Sequence, residues 1–254
     1  MSTTLGTRLS ALTAHFPLLH RHPRLLTLTA LLGLSAPWLY GNYLDFLALG
    51  PGGLPYNAGG WLVALLCKLL LARETRGTAA YDREANREVY IEGVEDVPER
   101  RGERPETGWH VLPARQRGKV PPVEMGERIM EISDRLVRLN PTLVEYGPSP
   151  NERRNKGVLI ARGIPTPHKA AKRASREIFH MHPSDRSLHI VLAPQDAKLV
   201  IERNWGERHG LSGTYLPLEY TWIYAPRNDE ELAAVEKFMV AGIKFMTDAK
   251  VVNQ

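Results

Sequence analysis

The sequence predicts an α+β fold: a mostly antiparallel sheet with flanking helices, plus an apolar helical segment at the amino terminus. Three observations carry this reading. Strand-like runs stand between helical ones without the regular alternation of a parallel βαβ sheet. Two of those runs, "IFHMH" and "SLHIVL", are separated only by "PSDR", whose Pro, Ser and Asp favour bends, as in a hairpin. Two long segments, 123–140 and 228–246, repeat apolar residues at three- and four-residue steps, the period of an amphipathic helix.

From the amino terminus, residues 25–49 are apolar with Asp45 as the only charge, and are preceded by Arg8, His15, His20, Arg21 and Arg24. A bilayer core takes about 20 apolar residues of helix, and Pro37 is tolerable there as a kink. Trp38, Tyr40 and Tyr43 cluster where an interfacial aromatic belt would sit. No small-x-small cleavage site follows cleanly, so the stretch reads as an uncleaved anchor rather than a signal peptide. Residues 61–72 contain Lys68 and are too short to span; they read as an interfacial or packed helix. The expected division is a basic leader and apolar anchor over 1–49 and an α+β catalytic domain over 50–254. The expected location is membrane-associated, at an endomembrane.

The net charge of +5 comes from 33 basic and 28 acidic residues that are interspersed, Arg153 and Arg154 beside Glu152 for example. No uniform basic face results, so nucleic acid is not the expected partner; an acidic membrane surface suits the excess charge better. Cys67 is the only cysteine, which excludes an intramolecular disulfide, and its apolar neighbours mark it as a packed residue rather than a reactive thiol.

Residues 50–60, "GPGGLPYNAGG", connect the two apolar segments, and 83–108 read as exposed loop or a short strand around "REVYIE". Met125, Ile129, Ile132, Leu136 and Leu139 form the buried stripe of a helix that ends before Pro141. "YGPSPNERRNKG" reads as a loop and "VLIARGI" as a strand. A helix begins near Pro194 with Asp196 in its first turn. "EYTWIYA" has strand composition, stopped by Pro226, and Asn228 caps a last helix rich in acids in its first turn.

The hairpin carries the chemistry. With Pro183 to Arg186 as a four-residue loop, His182 lies opposite Ser187 and His180 opposite His189. Side chains alternate along a strand and cross-strand partners share a face, so His180, His182 and His189 project together. The other face receives Phe179, Met181, Leu188, Ile190 and Leu192. One residue more or less in the loop would flip His189. Three imidazoles in this arrangement can ligate Zn or Fe, act as general bases near neutral pH, or form a solvated polar face; the spacing alone leaves all three open. The nearby "NWGERH" adds Trp205, Arg208 and His209, an aromatic plate, a cation and a further imidazole suited to a flat, anionic, conjugated substrate.

These segments, "REIFHMH", "SLHIVLAPQDAK", "NWGERHGLSG", "TWIYAPRNDEE" and the closing "MTD", resemble the fungal luciferase family, as do "FLALGPGGLPYNAGGW", "AAYDR" and "HVLPARQR" upstream. The resemblance runs over residues 40–248. It implies a membrane-associated enzyme that oxidises a hydroxypyrone, 3-hydroxyhispidin, with O2 as co-substrate, loss of carbon dioxide and emission of light, and no cofactor. It further implies catalytic roles for His180, His182, His189, His209 and Glu177, and substrate-binding roles for Trp205, Arg208, His110 and His168. Two readings compete with it: a metal-dependent enzyme using His180, His182 and His189 on another small molecule, and a membrane-tethered metabolite-binding homologue.

Overall fold

A computed structural model describes residues 23–254 apart from positions 94, 96 and 154. The chain divides into two units, residues 1–48 and 49–254. In the first, helix α1 (Pro23–Ala48) contains Pro37. Arg8, His15, His20 and Arg21 of the basic leader lie outside the described residues.

The expected transmembrane span is corrected here: among the described residues, no helix is long and apolar enough to cross a membrane. With 26 residues α1 has the length. Its composition falls short, because Thr27, Thr29, Gly33, Ser35, Gly41, Asn42 and Asp45 dilute the leucines on any transfer scale.

The second unit opens with α2 (Ala58–Leu70), started by Asn57, whose side chain accepts the Gly59 and Gly60 N–H groups at 3.0 and 3.2 Å. After a short 3-10 turn at Tyr81–Arg83 and a long irregular stretch come α3 (Val123–Leu139), β1 (Val144–Pro148), β2 (Lys156–Ile160), α4 (Lys169–Arg173), β3 (Glu177–Met181) and β4 (Leu188–Val191). Helix α5 (Pro194–Glu202), β5 (Gly206–Arg208), β6 (Tyr220–Ile223) and α6 (Asp229–Thr247) complete the chain. The six strands form one sheet in the order β1-β2-β3-β4-β6-β5, antiparallel throughout. This is the α+β architecture the sequence predicts.

One loop is shorter than expected. The first residues of "YGPSPNERRNKG" belong to β1, paired with β2 over five consecutive positions. Pro148 sits at the end of an edge strand, where a missing N–H disrupts no ladder, so sheet pairing overrides the turn composition.

The central strands bury Ile178, Leu188, Ile190 and Ile223 completely, and α6 packs on them with Val235, Phe238, Met239 and Ile243. Gly242 makes that approach possible: a Cβ there would lie 2.8 Å from Ile190 Cγ2. Asn228 caps α6 through the Glu231 N–H at 2.9 Å, as its position in the sequence predicts. Helix α3 buries Met125, Ile129, Ile132 and Leu136 of the expected stripe, while Leu139, at its last position, is exposed. Phe238 is fully buried against Trp205, ring centroids 5.6 Å apart. Phe238→Ala is expected to cost about 3–5 kcal/mol, read from denaturant unfolding midpoints at constant slope.

Candidate active site

The hairpin folds in the predicted register: His180 faces His189 across β3 and β4, Phe179 faces Ile190, and the His182 N–H donates to the Ser187 carbonyl at 2.9 Å. His180, His182 and His189 therefore share a face, and each is buried. That removes the solvated-face reading. Strand β6 continues the same face, since Trp222 lies opposite His189 and Tyr220 is two residues away. The ring centroid of His189 lies 4.7 Å from that of His182, 5.2 Å from His180, 5.0 Å from His209 and 5.0 Å from Tyr220.

A cavity of about 280 Å³ opens onto this cluster. His180, His189, His209 and Tyr220 line its polar end, and Val63 and Cys67 of α2, with Leu71 just past its end, line its apolar side. A narrow, mainly apolar pocket with a few convergent polar groups is the usual form of a small-molecule site. A wider open groove between α3 and α6 is lined by ion-paired surface residues such as Arg128 and Asp229 and holds no buried titratable cluster. Burial pushes the Cys67 thiol up, in keeping with a packed and unreactive residue.

Glu177 stands behind His180. Its Oε1 is 2.6 Å from His180 Nδ1, and its Oε2 accepts from Asn151 Nδ2 at 2.6 Å and from the Tyr220 hydroxyl at 3.4 Å. Burial alone would raise this carboxyl, but His180 and the donated hydrogen bonds outweigh it and hold the group below the usual carboxylate range. Gly157, opposite His180 on β2, leaves the room: a Cβ there would sit 3.1 Å from Glu177 Oε1. Tyr220, buried beside Glu177 and Glu152, is raised well above its ordinary value and keeps its proton.

Burial, with neighbouring imidazoles and Arg115 adding to it, drives His182 and His189 well below the usual imidazole range, and the same causes take His209 down to about 3. An imidazole kept neutral in the folded chain gains a proton more readily when unfolded. Stability attributable to it is therefore complete above about pH 6.5 and falls as pH drops below that value. Each such imidazole costs about 1.4 kcal/mol per pH unit over that range. Asp196, pushed up to about 6 by burial, acts in the opposite sense, as do Asp185 and Glu219, which burial also raises; the steep acid loss is expected where the imidazoles outweigh them. Urea unfolding at a series of pH values between 7 and about 5 is expected to show a steep loss of stability on the acid side.

The remaining sequence candidates are dispersed. His209 lines the cavity, yet its Nδ1 accepts the Leu211 N–H at 3.1 Å and a bond to the Val111 backbone occupies the ring further. Trp205 is a core residue, its Nε1–H donated to the Pro98 carbonyl at 2.8 Å. Arg208 lies opposite Thr221, so it leaves β5 on the other face from Glu207, and it reaches the Glu74 carbonyl at 2.6 Å. His168 caps α4 by accepting the Ala171 N–H at 3.2 Å and stacks on Phe245 at 4.2 Å. His110 is buried against the edge of Trp109 at 5.0 Å. Trp205, Arg208, His168 and His110 do not line the cavity. Tyr220, Asn151, Glu152, Ser187 and Asp185, which the sequence reading did not single out, surround the imidazoles instead.

Comparison with known proteins places the chain among luciferases. A family model described as the luciferase domain matches residues 175–242, from β3 into α6. The chain is 35% identical over 229 residues to a luciferase of Armillaria mellea, which covers 85% of this chain and 84% of that protein. It is 34% identical, with the same coverage, to a luciferase of Neonothopanus nambi. No solved structure matches.

Proposed function

Because this chain belongs to the fungal luciferase family, we propose that it is an oxygenase that oxidises a hydroxypyrone, 3-hydroxyhispidin, with molecular oxygen, loss of carbon dioxide and emission of light. The observation that carries the reading is the cavity that joins an apolar wall to a buried, carboxylate-backed imidazole cluster. A flat conjugated pyrone gains from the apolar side. Its enol must lose a proton before oxygen can add, and the polar end is where that charge is generated and held. In a buried site, fixed dipoles and neutral imidazoles stabilise a developing enolate better than mobile water does. The Tyr220 hydroxyl and the Asn151 amide stand at the same wall as donors.

The test is direct. Purified full-length protein mixed in air with 3-hydroxyhispidin should emit light above a heat-killed control and consume oxygen. Darkness with unchanged substrate would overturn the proposal.

We place the protein at an endomembrane surface. Support comes from α2, where Leu62, Leu66, Leu69 and Leu70 lie at helical spacing and are exposed. Fractionation of cell extracts tests this; recovery wholly in the high-speed supernatant would refute it.

A further inference from the structure

At the centre of the cluster two imidazole nitrogens meet, Nε2 of His180 and Nε2 of His182. His180 Nδ1 is 2.6 Å from the Glu177 carboxylate, so in the neutral imidazole the proton sits on Nδ1 and Nε2 turns a lone pair toward His182. The tautomer of His182 is fixed through Ser187. The Ser187 hydroxyl donates to Asp185 Oδ1 at 2.9 Å and accepts from Trp222 Nε1–H at 2.9 Å. One lone pair remains, and His182 Nδ1, 2.9 Å away, fills it as a donor. His182 Nε2 is therefore also bare. The two bare nitrogens are 3.2 Å apart.

Two lone pairs at that separation need a cation between them, a shared proton or a metal ion. The spacing suits a metal: two nitrogens bound tetrahedrally at zinc–nitrogen distances of about 2.0–2.1 Å lie about 3.3 Å apart. A third imidazole is adjacent. His180, His182 and His189 each offer a nitrogen, and the three lie within 4.8 Å of one another. His189 Nδ1 is moreover buried without a hydrogen-bond partner among the described residues. The outer groups match those that hold metal-binding histidines in place: a carboxylate on His180 and a serine–aspartate pair on His182.

We propose that His180, His182 and His189 bind one divalent first-row transition-metal ion, of the zinc or iron class, with an open position toward the cavity. Three neutral imidazoles suit these metals, whereas calcium and magnesium want oxygen ligands. The open position takes a water whose acidity the ion raises. The resulting hydroxide accepts the enol proton and leaves as water while the enolate oxygen takes its place. This last step rests on the hydroxypyrone reading; the ion itself does not.

Elemental analysis of full-length protein purified without chelator or affinity metal should find about one zinc, iron or related ion per chain. His182→Gln should reduce that below about 0.1, while His168→Gln, outside the cluster, should retain it. Wild-type protein stripped by chelator and titrated with Co2+ should develop the visible absorption of a nitrogen-coordinated ion, which keeps the test sharp if a variant folds poorly. Wild-type protein that carries less than about 0.1 ion per chain and shows no Co2+ absorption would overturn the site. Light from such metal-free protein would sink the ion and leave the luciferase reading standing. A loaded but dark protein would do the reverse.

Discussion

His180→Ala is expected to lower turnover of the proposed hydroxypyrone substrate by about 10²–10⁴-fold, the range seen when a group that handles a proton or a developing charge is removed. The expectation follows from position. His180 is the one imidazole that lines the cavity, is oriented by a buried carboxylate and faces a second bare nitrogen. Removing it also leaves Glu177 buried with Asn151 and Tyr220 as its remaining donors, so a stability loss of about 3–5 kcal/mol is expected beside the kinetic one. The two effects are separated by Glu177→Gln. A glutamine oxygen can still accept the His180 Nδ1–H, so the ring stays oriented while the charge is lost. Turnover should then fall about 10–100-fold. Initial rates of light emission and oxygen uptake at saturating substrate are the measurement. A fall in kcat with little change in KM marks a role in chemistry; equal activity in both variants would remove His180 from the reaction.

Gly53→Ala should damage the site from outside it. A Cβ at Gly53 would sit 1.8 Å from the Asn151 carbonyl oxygen and 3.0 Å from its carbon, so the loop that carries Asn151 and Glu152 must move. That loop matters twice. Asn151 bonds Glu177 and the Tyr220 hydroxyl, and Glu152 closes a bidentate pair with Arg115 at 3.0 and 2.7 Å. Displacement by about 1 Å at such positions can cost about 100-fold in rate, and overpacking itself costs about 1–3 kcal/mol. Gly163→Ala, where an added Cβ meets nothing within 4 Å, should leave both rate and stability unchanged. A Gly53→Ala protein with wild-type turnover would show that the loop does not set the site.

The hairpin was legible because everything that decides it is local. Four turn residues fix the register, and period-two alternation sends His180, His182 and His189 one way and Phe179, Leu188 and Ile190 the other. Their environment was not legible. Tyr220 and Trp222 reach the imidazoles through the pairing of β4 with β6, and Asn151 through a loop packed on Gly53, at separations where sequence carries no register. Adjacency misled in the opposite way at "WGERH". Arg208 stands between Glu207 and His209, but a strand turns neighbours to opposite faces, so it meets Glu74 rather than the cavity. Trp205 is exchanged for the core by the same logic, since its indole N–H is satisfied by a carbonyl. The membrane span fails for a different reason: α1 has the length, but the polar residues scattered through it leave it insufficiently apolar to cross a membrane.

Helix α2 has a consequence for how the enzyme must be handled. Val63, Cys67 and Leu71 line the candidate cavity, while Leu62, Leu66, Leu69 and Leu70 form the adjoining exposed stripe. The same short stretch thus lines the cavity and meets the surrounding medium, and Val63 and Leu71 do both. Whatever coats the outer stripe is separated from the cavity by about 10 Å, the diameter of a helix with its side chains. Rates measured in different surfactants would then describe differently supported walls, and the choice of solubilising agent becomes an experimental variable of the same rank as pH.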